Sequence, residues 1–254
     1  MSGDLQRGWP TMPPISFREW TRELCASFAV IVMRLLGRCV SAPAALIPVV
    51  SLLSADKNSD APIWAGCPPF ALTGIYSTDF ANFPKWRGML GRFSLELTDG
   101  ANVRLWQSFR ANLPVGDSLR QLGVVNAAVN SFPYVSDDVN WGKLDYWETP
   151  IEFLQHAGDC EDFAITKYMT LRSLGLAAEN MRVAVVTDTQ LRVAHAVLLV
   201  MSGGKLYVLD NLTNEVLPAT AEPFYRPVYA INEDGWWNYG PQVAGTPAGM
   251  VTVR

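Results

Sequence analysis

Hydrophobic residues recur with helical spacing through the middle of the chain. Positions 102–113 predict a helix that Pro114 ends, and a second helix is predicted to follow a cap at Asp117. The aliphatic residues that define this second helix are Leu119, Leu122, Val125 and Val129. Positions 137–147 show neither helical nor strand spacing, so they predict a loop whose aromatic side chains either line a groove or cover the core.

Two capping patterns mark the next pair of helices. Positions 149–152 have the residues of a capping box, TPIE, and predict a short helix over 150–157 that Gly158 ends. Asp159 is then placed to cap a longer helix that Gly175 ends. The residue directly after this second cap is a cysteine.

The spacing then changes to the two-residue period of strands. Positions 182–187, 194–201 and 205–210 predict strands, and Gly203 and Gly204 predict a hairpin between the last two. Helices followed by an antiparallel sheet predict an α+β domain.

The composition is that of a globular protein. The chain has 254 residues, of which 49% are hydrophobic, so it can form one well-packed domain with appendages. Its formal net charge of -4 provides no cationic field for a phosphate backbone, and no nucleic-acid partner is expected. Its four cysteines include no CxxC pair and predict neither a disulfide framework nor structural zinc.

The N-terminal region has the features of an export signal. Positions 24–53 are strongly apolar, but arginines interrupt them before they reach the ~20 residues of a membrane-spanning helix. We interpret 1–38 as a basic leader and 39–53 as a hydrophobic region, with Ser54 and Ala55 near the cleavage site. A mistaken start site and an amphipathic N-terminal helix are the alternatives.

The domain organisation follows from where periodic sequence begins and ends. Positions 56–60 and the prolines after them form a polar linker. The pattern predicts a leader and linker at 1–66, a folded domain at 67–240 and a C-terminal tail at 241–254.

Three side chains have the chemistry of a cysteine hydrolase. Cys160 lies at a predicted helix start, where free N–H groups and the helix dipole stabilise a thiolate and a developing oxyanion. His195 opens an apolar strand, where it is either a base for the thiol or a hydrogen-bonded core residue. His156 is expected to interact with a helix C-terminus instead.

Asp210 completes the set only in certain registers of the hairpin. A loop of two or four residues brings Asp210 onto the same face as His195, whereas a loop of three residues separates them. The alternative is that Asp210 opens a turn before Asn211.

Carboxylates surround Cys160 and should oppose thiolate formation. Asp159, Glu161 and Asp162 either compensate the helix dipole or bind a cation. Calcium is the best candidate because it prefers several hard oxygen ligands. The chemistry alone leaves both interpretations open.

The segments around these residues resemble a known family. They read WGKLDYWETPIEFLQHAGDCEDFAITKYMTLRSLG, AHAVLLV, LDNL and PVYAINEDGWW. Together, over about 77–240, they resemble the bacterial transglutaminase-like cysteine peptidases, and in particular the LapG-type periplasmic proteases. The resemblance implies a papain-like/transglutaminase-like fold, with N-terminal helices packed on an antiparallel sheet.

The resemblance also implies roles for single residues. Cys160, His195 and Asp210 match the family's catalytic cysteine, histidine and aspartate. Asp159 and Glu161 match its calcium-binding positions, and Asp162 is expected as a further ligand.

The function implied is that of a calcium-dependent cysteine endopeptidase exported to the periplasm by an N-terminal signal or anchor. Its expected substrate is a large surface adhesin of biofilms or another periplasmic protein. The expected regulator is a LapD-like inner-membrane receptor for cyclic di-GMP. The alternatives are a transglutaminase or amidase, which passes the acyl group to another acceptor, and a degenerate calcium-binding interaction module.

Overall fold

A computed structural model describes Trp64, residues 69–116 and residues 118–240. The predicted export signal, the cap at Asp117 and the tail at 241–254 lie outside these residues and stay predictions. Trp64, within the segment expected to be a linker, is buried and packs against the domain.

The described residues form six α-helices and one seven-stranded antiparallel sheet. The helices are α1 (Pro84–Glu96), α2 (Gly100–Arg110), α3 (Ser118–Asn130), α4 (Asp137–Trp141), α5 (Pro150–His156) and α6 (Cys160–Ser173). The strands are β1 (Ile75–Ser77), β2 (Met181–Asp188), β3 (Val193–Ser202), β4 (Lys205–Leu209), β5 (Leu217–Pro218), β6 (Tyr225–Ile231) and β7 (Trp236–Asn238). The α+β prediction is therefore confirmed.

The sheet has the order β1-β7-β6-β2-β3-β4-β5, which places β2 and β3 near its centre. In the β3–β4 hairpin Ser202 pairs with Lys205, so Gly203 and Gly204 form a two-residue turn. Both glycines have positive φ, 56° and 73°, which their lack of a Cβ permits. This register is one of the two that bring position 210 onto the face of His195.

The helix that begins at Cys160 packs directly on the centre of the sheet. α6 contacts β2 and β3, and α3 and α5 flank it. One core cluster joins these helices to one face of the sheet, and a second covers the opposite face with Val197 and Leu199 of β3. Burial on both faces explains why β3 is almost continuously apolar. No helix among the described residues has the length and apolarity needed to cross a membrane.

Two local predictions were wrong. The stretch expected to be a loop begins with the short helix α4, in which Ser136 is the N-cap and Asp137 and Asp138 occupy the first turn. α5 has the predicted capping box, but Ala157, at φ 58°, follows its last residue. Gly158 serves a different purpose, because a Cβ there would overlap the Asp162 side chain. Sequence spacing also missed α1, the short strands β1, β5 and β7, and the seven-residue strand β6.

Candidate active site

Cys160 lies where α6 meets the sheet. Asp159 is the N-cap, so Cys160 occupies the first position of the helix. Its side chain is buried and packs against Val185 of β2 and Ala196 of β3. Because Ala196 directly follows His195, the cysteine contacts the strand one residue away from the proposed base.

His195 and Asp210 form a buried hydrogen-bonded pair. The two-residue turn places Asp210 immediately after β4, beside β3. Nε2 of His195 lies 2.9 Å from Oδ1 of Asp210. This contact leaves Nδ1 as the ring nitrogen that can accept a proton from a thiol.

The Asp210 carboxylate accepts hydrogen bonds at both oxygens. Oδ1 also accepts from the backbone N–H of Leu212 at 2.9 Å, and Oδ2 accepts from the Tyr225 hydroxyl at 2.6 Å. Burial alone would raise the pKa of Asp210, but its hydrogen bonds, first of all the one with His195, hold it below its ordinary value. An ionised Asp210 can only accept, so Nε2 of His195 carries the hydrogen.

The thiol of Cys160 is directed at a different acceptor. In the described part of the chain Sγ donates to Oε2 of Glu161 at 3.2 Å rather than to His195. Burial raises the pKa of the Cys160 thiol well above its ordinary value, and the carboxylates of Glu161 and Asp159 raise it further. The thiol in this arrangement is therefore protonated at neutral pH.

Six carboxylates surround the start of α6 among the described residues. They form three groups, each with ligand atoms within 4.8 Å of one another: Asp137, Glu148 and Asp162; Asp137, Asp145 and Glu161; and Asp159 and Glu161 with the Cys160 thiol. The groups share Asp137 and Glu161, so together they form one continuous patch, called here the carboxylate cluster.

Several oxygens of the carboxylate cluster are buried without a hydrogen-bond partner in the described residues: Oδ1 of Asp137, Oε2 of Glu148 and Oδ1 of Asp159. Burial raises the pKa of Asp137 to about 6, of Glu148 to about 7 and of Asp159 to about 9. Buried carboxylates without partners are costly unless they are protonated or bound to a cation. Hard oxygen ligands at this spacing fit calcium.

Asp162 differs from the other two residues predicted to bind metal. Its Oδ1 accepts from the backbone N–H of Glu148 at 2.7 Å, and its Oδ2 accepts from that of Asp159 at 3.1 Å. It therefore ties the first turn of α6 to the preceding chain. The structure places it with Asp137 and Glu148 instead of with Asp159 and Glu161, and its role as a ligand stays a prediction.

Four residues of the site were missed in the sequence. Asp137, Asp145 and Glu148 lie in or next to the stretch without periodicity, where the only signal was the density of acidic residues among aromatic ones. Tyr225 had no signal, because its role depends on the contact between β6 and the end of β4.

Comparisons with known proteins identify a matching family and similar solved structures. A family model described as bacterial transglutaminase-like cysteine proteinase matches residues 106–238, just over half of the chain. Legionella pneumophila LapG is 32% identical, with a TM-score of 0.48 over 59% of this chain and 87% of LapG. A calcium-bound LapG structure is 29% identical, with a TM-score of 0.49 over 64% of this chain and 93% of LapG. No curated protein matches.

Proposed function

The chain belongs to the bacterial transglutaminase-like cysteine proteinases, and from this premise we propose a calcium-dependent endopeptidase with Cys160 as nucleophile, His195 as base and Asp210 as the residue that orients His195. The observation that carries the assignment is the buried His195–Asp210 hydrogen bond, formed by the strand that Cys160 contacts through Ala196. A thiol at a helix start and an oriented imidazole are the two parts that acyl transfer requires.

The chemistry proceeds from proton transfer to acyl transfer. Nδ1 of His195 takes the proton of Cys160, and the thiolate attacks the peptide carbonyl. The free N–H groups in the first turn of α6 stabilise the oxyanion. The imidazolium then protonates the leaving amine, and water activated by His195 hydrolyses the thioester. Asp210 stabilises the imidazolium and keeps hydrogen on Nε2.

Glu161 links this chemistry to the carboxylate cluster. It accepts the hydrogen bond of the Cys160 thiol, so the thiol must exchange Glu161 for His195 before it can react. Asp159 and Glu161, with Asp137 and Asp145, are the residues that would hold calcium. Calcium bound there would supply positive charge that compensates the buried carboxylates, and Glu161 as its ligand would no longer be available to the thiol.

The substrate class and setting follow from the family resemblance. A cysteine peptidase acts on a protein, and we propose a large surface adhesin or another periplasmic protein as that substrate. We further propose export to the periplasm and control by a LapD-like receptor for cyclic di-GMP.

Cleavage by Cys160→Ala protein tests the assignment. Wild-type protein with calcium is expected to cut N-terminal fragments of a surface adhesin from its own host, and Cys160→Ala is expected to lose cleavage by at least about a thousandfold because the nucleophile is gone. Cys67→Ala is the matched cysteine control and should remain active. Full activity of Cys160→Ala, with an unchanged melting temperature, would remove Cys160 as the nucleophile.

A second measurement separates hydrolysis from transfer to an amine. The same fragments are incubated with an added primary amine, and the products are weighed by mass spectrometry. A peptidase gives a free carboxylate at the new C-terminus, whereas dominant amide products would assign transglutaminase chemistry.

A further inference from the structure

We propose that Tyr225 is a positioning residue for the reaction, whose hydroxyl fixes the Asp210 carboxylate in the orientation that binds His195. This inference rests on the function proposed above. Tyr225 begins β6 and is 5% exposed. In the sheet order, β2 and β3 separate β6 from β4, so its contact with Asp210 ties together two parts of the sheet that do not pair.

The geometry of the carboxylate shows why a third donor matters. His195 and the N–H of Leu212 both donate to Oδ1 of Asp210, and Tyr225 donates to Oδ2. At 2.6 Å, the contact has the length of a charge-assisted hydrogen bond. Without it, Oδ2 would be buried without a partner, and rotation of the carboxylate would compete with its bond to His195.

The Tyr225 ring is itself held in place. Its centroid lies 5.8 Å from that of His195, and Phe70 packs edge-on against it at 6.1 Å. Burial and the Asp210 charge raise the pKa of Tyr225, so the phenol stays protonated and remains a donor at neutral pH.

Other charges face this network, and they would be unchanged by removing the hydroxyl. The negative charge of Glu222 repels that of Asp210 and disfavours ionisation of Tyr225. The negative charge of Asp188 also disfavours ionisation of Tyr225. Lys167 on α6 interacts electrostatically with Asp210. A Tyr225→Phe variant therefore changes one hydrogen bond without changing the formal charge around His195.

The test combines kinetics with nuclear magnetic resonance. With calcium present, Tyr225→Phe is expected to lower kcat about tenfold and to leave KM within about twofold, because the hydroxyl orients the base and does not touch substrate. The matched control is Tyr207→Phe, which removes a hydroxyl from β4 in the same sheet and should leave kcat unchanged.

The imidazole is monitored in Cys160→Ala protein, so that ionisation of the thiol does not overlap with it. The chain has two histidines, and His156 serves as the internal reference. Tyr225→Phe is expected to lower the fraction of the Nε2–H tautomer of His195, since a less ordered Asp210 holds that hydrogen less well.

A His195 tautomer identical to that without the substitution would overturn the inference, even if Tyr225→Phe were less stable or less active. The tautomer measurement does not require turnover, so it also tests Tyr225 if Cys160→Ala proves active and the proposed function fails. The two failures are therefore distinguishable.

Discussion

The two sides of Cys160 differ in how completely the polypeptide satisfies its own polar groups. On the sheet side, both oxygens of Asp210 accept hydrogen bonds, and the pKa of Asp210 lies below its ordinary value. On the helix side, oxygens of the carboxylate cluster are buried without partners in the described residues, and burial raises the pKa values of five of its members. The His195–Asp210 pair is thus formed by the fold alone, whereas the carboxylate cluster requires protons or a cation.

Cys160 contacts Ala196, the residue next to His195, and is hydrogen-bonded to the carboxylate cluster. Its thiol donates to Glu161, and the neighbouring carboxylates disfavour the thiolate. The step from this arrangement to a reactive one therefore concerns the carboxylate cluster, while the His195–Asp210 pair can remain as it is.

The largest effect is expected from removing the negative charge of Asp210. Asp210→Asn should lower kcat about a thousandfold, because the imidazolium loses the buried carboxylate that stabilises it. Steady-state cleavage assays with calcium measure this loss. Asp234→Asn, at an exposed position, is the control and should retain activity. Near wild-type kcat in Asp210→Asn would mean that the pair does not provide the base.

The next largest effect is expected from calcium, which should bind the carboxylate cluster and raise the free energy of unfolding. Saturation at about 100 times Kd adds about 2.7 kcal/mol to the free energy of unfolding, which corresponds to a rise in Tm of roughly 5–10 °C. Scanning calorimetry with calcium and with EGTA measures the shift, and cleavage should fall in EGTA.

Variants locate the calcium effect within the molecule. Glu161→Gln should abolish the calcium-dependent rise in Tm, whereas Asp234→Asn should keep it. An equal rise in Glu161→Gln, or no rise in the wild type, would contradict a calcium site at the start of α6.

Lys167 should give the smallest of these effects. Its Nζ is buried without a hydrogen-bond partner in the described residues, and burial lowers the pKa of Lys167 to about 7. Lys167→Met should raise the free energy of unfolding by about 2 kcal/mol near pH 6, because it removes a buried charge. Lys205→Met, at an exposed position, is the matched control.

The stabilisation expected for Lys167→Met depends on pH. Between about pH 7 and the ordinary lysine value of 10.5, the unfolded chain holds a proton that folded Lys167 has lost. The free energy of unfolding of the wild type therefore rises with pH in this window. The advantage of Lys167→Met should shrink from pH 7 to about 10.5 in urea titrations, and a constant difference would contradict it.

Local sequence was enough wherever the cause of a structure was also local. The TPIE capping box predicted the start of α5, and the paired glycines predicted a hairpin whose register then placed Asp210 beside His195. The acidic residues beside Cys160 were also visible, because they are its neighbours in the chain. These features depend on caps and turns within a few residues.

Tertiary structure alone decided the partners that come from distant segments. Tyr225 contacts Asp210 from a strand that does not pair with β4. Asp137 and Asp145, which precede α5 in the chain, lie close to Glu161, which follows it. Gly158 was misread for the same reason, since its lack of a Cβ accommodates Asp162 and does not end α5. Burial determines the pKa values and unmet hydrogen bonds of these groups, and burial is a property of packing that no local pattern contains.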